Sequence, residues 1–338
     1  MALSRDAHPS DEKLFLEKRS IATPQYSEGP RRSTGLDARY ELSSTVRDAR
    51  KNICLIINIV KFQGPIEDRK GASKDAERMH KLFDDLGFQC KLATKVGAVD
   101  YESKEGRKYT ARDHELTDSD IKKSIQDVKD GMDPKSDIFV CWIMSHGERG
   151  HIYDSKGPRI SLEEIIKEFA GNSCATLKGK PKLFFVQACQ TVKNEEKEDK
   201  NDNKTRDTEQ KERTPSVLNE KEDRWVYGIT PYKDIYVGIA TAPGYVSHRD
   251  ECQGSFYTEA MDEVFRSSLE GRDSVELTRV MTLVRNNVAL KYGVKREGDQ
   301  KEGAKSEMDQ RELMQMPCCT FTLTKRLFLS KAASRTAV

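Results

Sequence analysis

The sequence contains no long hydrophobic segment. No apolar run approaches the roughly 18 to 20 residues that a membrane-spanning helix requires. Residues 1–10 contain no hydrophobic signal region, so secretion is not expected. We therefore predict a cytoplasmic protein without a membrane partner.

The chain also has almost no excess of charge of either sign. Its 58 Lys and Arg residues nearly balance its 56 Asp and Glu residues, which leaves a net charge of +2 at pH 7. A surface that binds nucleic acid or anionic lipid is usually strongly basic. The sequence therefore predicts no nucleic-acid partner.

Two missing patterns argue against further classes of site. The eight cysteines include no CxxC spacing, so we expect reduced thiols rather than a zinc site and predict no metal and no other cofactor. No glycine-rich loop follows a predicted strand, which disfavours a nucleotide-binding α/β domain.

Polar and charged residues are concentrated in segments that divide the chain. Residues 1–45 are polar, contain several prolines and predict a flexible leader. Residues 193–224 consist almost entirely of charged and amide side chains. Such a segment cannot bury enough apolar surface to offset the entropy of ordering, so we predict a disordered linker there. Residues 46–192 and 225–330 are then the folded parts, and residues 331–338 form a tail.

Apolar runs and helical periodicities alternate along the two folded parts. Strands are predicted at residues 52–60, 88–95, 137–144, 183–189, 234–242 and 319–329. Helices are predicted at 72–86, from 117 or 118, from 161, at 256–269 and at 274–290. This alternation predicts an α/β fold with a mostly parallel sheet and helices on both faces.

Two of the predicted strands end in reactive side chains. The run that begins at Leu183 ends in Cys189, and the run 137–144 is followed by His146. Open parallel sheets place their chemistry at the C-terminal ends of their strands. A cysteine at a strand end is more often a packing residue, but a nearby histidine is what a thiol nucleophile requires.

The residues around Cys189 resemble the caspase signature. Residues 187–190, Gln-Ala-Cys-Gln, match a motif in which a histidine lies about 50 residues upstream, and His146 occupies such a position. The resemblance extends over about residues 52–329. Its other motifs, in the family's order, are Ile143–Glu148, Gly179–Phe184, Thr241–Arg249 and Gly254–Tyr257.

The resemblance implies a role for each residue of the site. Cys189 would be the nucleophile, His146 its base, and the backbone N–H groups of Gly147 and Cys189 the oxyanion hole. The implied substrate-binding residues are Arg69, Gln187, Ser247, Arg249 and Phe256. Planar guanidinium groups bind carboxylates bidentately, so a pocket formed by Arg69, Gln187 and Arg249 predicts cleavage after Asp.

The resemblance also implies how the protein is made and activated. An effector-type caspase with a short leader is a zymogen. An upstream protease cuts its linker, and the cut separates a large subunit (46–192) from a small subunit (225–330). The predicted processing sites are Asp37, Asp199, Asp202, Asp207 and Asp223. The expected partners are protein substrates with an exposed Asp and a second copy of the chain. The expected fold is a caspase-like six-stranded sheet in each catalytic unit, and the expected role is in apoptosis.

Alternative functions remain open at this point. Thr191 stands where the signature ends in Gly, and a β-branched residue would be strained there if the position needs a positive φ. The Thr191 substitution motivates one alternative, a catalytically weak homologue that binds an active caspase as a decoy or regulatory partner. A Cys–His protease of basic specificity, such as a metacaspase, is disfavoured because Arg69 and Arg249 would repel a cationic side chain. His248 stands where the family has Trp, which leaves the preference for the residues before Asp open.

Overall fold

A seven-stranded sheet forms the centre of the molecule. The computed structural model describes residues 38–40, 42, 51–101, 115–191, 231–298 and 315–332. The predicted linker and the processing candidates Asp37, Asp199, Asp202, Asp207 and Asp223 lie outside these described residues, as does nearly all of the predicted leader.

The elements are numbered in chain order. The strands are β1 (Ile53–Asn58), β2 (Gln89–Thr94), β3 (Gly97–Asp100), β4 (Phe139–Met144), β5 (Gly147–Glu148), β6 (His151–Tyr153), β7 (Arg159–Ser161), β8 (Lys182–Gln187), β9 (Ile235–Ile239), β10 (Arg249–Asp250), β11 (Gly254–Ser255), β12 (Ser274–Glu276), β13 (Cys318–Phe321) and β14 (Phe328–Ser330). The helices are α1 (Ala72–Asp85), α2 (Asp118–Asp130), α3 (Leu162–Lys167), α4 (Phe256–Leu269) and α5 (Leu277–Gly298), with a short 3-10 helix at Ala175–Leu177.

The central sheet has the strand order β13-β9-β8-β4-β1-β2-β3. The five inner strands pair in parallel, and β3 and β13 add to the two edges in antiparallel. The β8–β9 pairing joins the two folded parts that the sequence predicted on either side of the linker. Smaller sheets are formed by β5, β6 and β7, by β10 and β11, and by β12 and β14.

The inner strands are apolar throughout because both faces of the sheet are covered. Side chains alternate between two cores, so that Trp142 and Phe185 face one core whereas Cys141 and Phe184 face the other. Helices α1, α4 and α5 pack on the first face, and α2 and α3 pack on the second. The predicted α/β class and the helices on both faces are confirmed.

Two of the strand predictions are corrected. The sheet has seven strands rather than six, because the short β3, which presents partly exposed residues, turns back onto β2. The predicted strand at 319–329 is wrong as a single element. Its middle leaves the sheet to bind Asp234, whose N–H donates to the Thr322 carbonyl and whose carboxylate accepts from the Thr324 hydroxyl at 2.8 Å.

The helices predicted from residue 117 or 118 and from residue 161 begin in different ways. Of the two residues 117 and 118, Thr117 caps α2, in a reciprocal capping box with Asp120. Ser161 makes no side-chain hydrogen bond at the start of α3, because it is the last residue of β7. The helix predicted at 274–290 begins only at Leu277 and continues to Gly298.

The segment Ala38–Tyr40 lies against the approach to β14. The Tyr40 N–H donates to the Arg326 carbonyl at 3.0 Å, and the Arg326 N–H donates to the Ala38 carbonyl at 2.9 Å. The buried Tyr40 hydroxyl donates to Asp234 at 2.6 Å. Among the helices that the structure describes, none combines the length and the hydropathy that crossing a membrane requires.

Candidate active site

The ends of β4 and β8 bring His146 and Cys189 to one edge of the sheet. The two strands pair in register as far as Met144 opposite Gln187, and the Ser145 N–H then donates to the Gln187 carbonyl at 3.2 Å. Each reactive side chain stands two residues beyond the end of its strand. The predicted placement of both residues at neighbouring strand ends is therefore found.

Cys189 is partly exposed, in contrast to the fully buried Cys54 and Cys141. Its sulfur accepts a hydrogen bond from the Ser247 N–H at 3.4 Å and lies 3.9 Å from the Ser247 carbonyl oxygen. Burial raises the pKa of the Cys141 thiol, which suits a packing residue. Of the three thiols, only that of Cys189 combines access with a polar partner.

His146 is held in a defined tautomer. Its Nε2 lies 2.8 Å from the Glu67 carbonyl oxygen, and because a carbonyl only accepts, Nε2 carries the proton and Nδ1 the free lone pair. Burial lowers the pKa of His146, and the charges of Arg69 and Arg249 lower it further against the opposing effect of the Glu67 carbonyl. No hydrogen bond joins His146 to Cys189 among the described residues. This environment therefore favours the neutral imidazole of His146.

Gly147 permits a close approach to the nucleophile. A Cβ atom there would lie 2.6 Å from the His151 carbonyl oxygen and 2.9 Å from the Ala188 side chain. Any larger residue would push the loop after β4 away from Cys189. No residue in the described part accepts a hydrogen bond from the Cys189 N–H, so that group is available to an incoming oxygen.

Arg69 is the most unusual charged side chain of the site. It is 0% exposed, and its Nη1 donates to Asn58 Oδ1 at 3.1 Å and to the Ile59 carbonyl at 2.7 Å. Its Nε and Nη2 are buried and have no hydrogen-bond partner within the described residues. Burial, with the charge of Arg249 second, lowers the pKa of Arg69 to about 9. The donors on these two nitrogens are therefore available to a further acceptor.

Arg249 contacts the residue that follows Arg69, and its charge contributes to the lowered pKa of Arg69. Its Nε donates to the Lys70 carbonyl at 2.9 Å, and burial lowers its pKa. Both guanidinium groups interact electrostatically with Cys189 and with the buried Asp75. The structure therefore brings the two predicted arginines together at the nucleophile.

Asp75 was not predicted. It is fully buried, and its Oδ1 accepts from the Ser255 N–H at 2.7 Å and from the Thr258 hydroxyl at 2.6 Å. A Cβ at Gly254 would lie 2.5 Å from this same oxygen. Asp75 thereby holds the β10–β11 hairpin, which carries Arg249, against α1. An acidic residue in the first turn of a helix gave no sequence signal for this role.

Gln187 and Ser247 complete the predicted pocket. Gln187 is 2% exposed, and its Nε2 donates to Ser247 Oγ at 2.6 Å, whereas its Oε1 is buried without a partner in the described part. Phe256 begins α4, and its ring lies 6.2 Å from that of His248. His248, which stands where the family has Trp, is thus placed next to a predicted groove residue.

Gln190 is a further residue whose contacts the sequence did not predict. Its Nε2 donates to the Cys189 carbonyl at 2.9 Å, and its Oε1 accepts from the Gly150 N–H at 3.2 Å. Its backbone N–H donates to the Tyr245 carbonyl at 3.0 Å. Gln190 therefore links the nucleophile segment to the loops on both sides.

Thr191 adopts an ordinary backbone conformation. Asp234 is the sole non-glycine residue with a positive φ in the ranges that the structure describes. The Thr191 carbonyl accepts from the Arg149 N–H at 3.2 Å. The backbone strain that motivated the decoy alternative is therefore not found at this position.

The described residues contain no group of three His, Cys, Asp or Glu side chains placed to bind a metal ion. A groove of about 470 Å³ lies elsewhere, between α2 and α3, and shares no residue with the site.

Comparison with known proteins identifies the family and the fold. The caspase domain model matches residues 51–328. The chain belongs to the caspase family. Caspase-8 of Mus musculus is 26% identical over 322 residues, which cover 93% of this chain and 58% of that protein. Caspase-6 of Gallus gallus is 27% identical over 281 residues, covering 82% of this chain and 80% of its own length.

The solved structures include a caspase of the same fold. Caspase-1 from Spodoptera frugiperda superposes with a TM-score of 0.60 at 24% identity, over 88% of this chain and 95% of that one. The caspase family consists of cysteine peptidases that act on proteins and dimerise. The predicted family is therefore confirmed, and this caspase shares the family's mostly parallel sheet.

Proposed function

We propose that this caspase is a cysteine endopeptidase that cleaves peptide bonds after Asp. The buried Arg69 carries the proposal, because two of its N–H groups lack partners beside Arg249 and next to Cys189. A carboxylate fits such a pair of guanidinium groups in both charge and geometry. The side chain that delivers it must be short, because the pocket lies next to the sulfur that attacks the backbone.

The proposed reaction begins with the thiol. The Cys189 proton moves to Nδ1 of His146, and the thiolate sulfur attacks the carbonyl carbon of the Asp residue. The N–H groups of Gly147 and Cys189 stabilise the oxyanion. The imidazolium of His146 then donates its proton to the leaving amine, and the C–N bond breaks to give a thioester.

Hydrolysis returns the enzyme to its starting state. His146 takes a proton from a water molecule, whose oxygen attacks the thioester carbonyl. The C–S bond breaks, the product leaves with a C-terminal Asp, and the proton held by His146 returns to the sulfur. The lowered pKa of His146 supports this cycle because the imidazole must begin each half as the neutral base.

Gln187 supports the specificity through the orientation of its amide. Reversal of this amide would allow the Ser247 hydroxyl to donate to Oε1 and would turn the NH₂ group toward the pocket. The buried oxygen that now lacks a partner would gain one, and a substrate carboxylate would gain a third donor beside Arg69 and Arg249.

The biological part of the proposal rests on the family. We propose that the caspase is an effector-type zymogen in the cytoplasm, that an upstream protease activates it in the 193–224 linker, and that it acts in apoptosis. We also propose a homodimer joined along β13, which pairs with β9 on one side and exposes half of Phe321. Sedimentation velocity of Phe321→Asp tests the dimer. A variant that still sediments as a dimer would contradict this interface.

A peptide panel tests the activity. Purified, linker-cut protein would be assayed with fluorogenic tetrapeptides that end in Asp, Glu, Lys or Arg, with Cys189→Ala as the control. We expect turnover of the Asp peptide only, and background turnover in the control. Hydrolysis after Lys or Arg would contradict the pocket assignment. No turnover of any peptide would favour a catalytically weak binding partner instead.

A further inference from the structure

A buried glutamine outside the predicted site contacts the substrate pocket from behind. Gln315 is 4% exposed and lies three residues before β13. Neither the caspase motifs nor the sequence pattern assigned it a role. Its amide nevertheless meets the segment formed by residues 245–249, here called the pocket segment, which contains Ser247 and Arg249.

Both ends of the Gln315 amide are used. Its Oε1 accepts from the His248 N–H at 2.9 Å, and its Nε2 donates to the Ala240 carbonyl at 2.9 Å. The same Nε2 lies 3.4 Å from Ser247 Oγ. Ala240 directly follows β9, and its own N–H donates to the Val186 carbonyl of β8 at 2.9 Å. The side chain therefore joins the pocket segment to the rigid central sheet.

The contact at His248 determines which edge of the pocket segment faces the nucleophile. The His248 N–H is bound to Gln315, and its carbonyl accepts from the Phe256 N–H at 3.3 Å. Alternate residues of an extended segment direct their backbone groups to opposite sides. Ser247 and Arg249 consequently direct theirs away from Gln315, and the Ser247 N–H is indeed bound to the sulfur of Cys189.

The contact at Ser247 extends to the specificity pocket. Ser247 Oγ accepts from Gln187 Nε2 at 2.6 Å and lies next to Gln315 Nε2, so the partly buried Ser247 connects two buried glutamine side chains in a continuous chain. Loss of Gln315 would leave the buried Ala240 carbonyl and the partly buried His248 N–H without these partners. A buried backbone group is seldom left unpaired, so the pocket segment would shift to find water or another partner.

We infer that Gln315 is a positioning residue for catalysis, which fixes the pocket segment so that Ser247 and Arg249 meet the substrate at Cys189. This inference rests on the proposed cleavage after Asp. It predicts that Gln315 acts chiefly on substrate binding, since it touches the pocket segment rather than His146 or Cys189.

Substitutions of matched shape provide the kinetic test. Gln315→Met keeps the length of the side chain and removes its hydrogen bonds, whereas Gln315→Glu keeps the shape and removes the donors. Gln126→Met is the control, because Gln126 is an exposed glutamine whose Nε2 binds Asp130 at 2.7 Å on the far helix α2. The concentration of active sites is titrated for each variant, and the assays are run at a temperature well below every Tm. A loss of activity then reports positioning rather than unfolding.

We expect both Gln315 variants to lose about 10- to 100-fold in kcat/KM on the Asp tetrapeptide, mainly through a higher KM. The control should stay within about twofold. Ser247→Ala, combined with Gln315→Met, should lose little more than the worse single variant, because the two side chains act in one chain of contacts. Wild-type kcat/KM in both Gln315 variants, or losses that multiply in the double variant, would overturn the inference.

Hydrogen exchange tests the positioning role of Gln315 independently of the proposed activity. The amides of residues 245–249 should exchange about tenfold faster in Gln315→Met than in the wild type or in Gln126→Met. Unchanged exchange overturns the positioning role whether or not the enzyme turns over. A wild type that hydrolyses no Asp peptide while the exchange still rises would instead refute the proposed function.

Discussion

Arg69 restricts the chemistry of the site more than any other described side chain. Its guanidinium is held away from water with only part of its hydrogen-bonding capacity met. Removing water from a charged group is costly, and the lowered pKa of Arg69 expresses that cost. The carboxylate of the proposed substrate would relieve this cost by accepting from the two nitrogens that lack partners.

Replacement of Arg69 tests this account. Lys has a single charged nitrogen and cannot form two parallel bonds, so Arg69→Lys should lose about 100-fold or more in kcat/KM on Asp peptides. Arg272→Lys is the matched control, because the Arg272 side chain is exposed and its Nη1 donates to the Ser268 carbonyl. Steady-state kinetics measure both variants. Full activity of Arg69→Lys would show that charge alone suffices in the pocket.

The acid side of the pH profile depends on His146. The neutral imidazole is the active form, and burial together with the two arginine charges lowers its pKa. Protonation therefore begins at a lower pH than for an ordinary histidine, and the acid limb of kcat/KM should have its midpoint below about 6.5. The substrate Asp ionises near 3.9 and does not interfere. A midpoint above 6.5 would contradict the described environment.

The residues that the sequence identified and those it missed differ in kind. Cys189 and His146 were predicted because family motifs contain them, and Arg69 was predicted from the wider resemblance to the family. Gln315 and Asp75 were missed because each acts through other residues, which only the packing of distant segments reveals. A single glutamine between two methionines carries no local signal for a buried role.

At the scale of elements, the apolar runs predicted the inner strands to within a few residues. Their signal is strong because both faces are buried. The edge strand β3 was missed since a partly exposed strand of four residues has neither an apolar run nor a clear alternation. The break between β13 and β14 was missed because it depends on hydrogen bonds to Asp234, which lies in a distant part of the chain.

The two capping residues provide a stability test at this scale. Thr117→Ala removes a capping box from α2 and should lower the free energy of unfolding by about 1 kcal/mol. Ser161→Ala is its control, because Ser161 makes no side-chain capping bond, and the change should stay within about 0.5 kcal/mol. Urea titrations measure both. Equal losses in the two variants would contradict the different roles of the two residues.

At the scale of the whole molecule, β8 and β9 are neighbours in space although the linker separates them in sequence. A cut anywhere in residues 193–224 would therefore leave the sheet and both cores intact. We expect the self-processed protein to elute as one species that contains both fragments. Mass spectrometry should map the cut after Asp199, Asp202, Asp207 or Asp223, with Cys189→Ala uncut. The absence of any cut in this segment would contradict the activation proposal.

The contact of Ala38 and Tyr40 with Arg326 bears on how the gene could be arranged. This segment and the approach to the last strand lie side by side, as β8 and β9 do, so the order in which the chain visits the sheet is not fixed by its packing. A reordered gene could begin near residue 231, run to residue 332, and continue through an added linking peptide into residue 38. Its product would keep the contacts described above. The two halves would then be separated at the 193–224 position by the order of the gene, without cleavage by another enzyme.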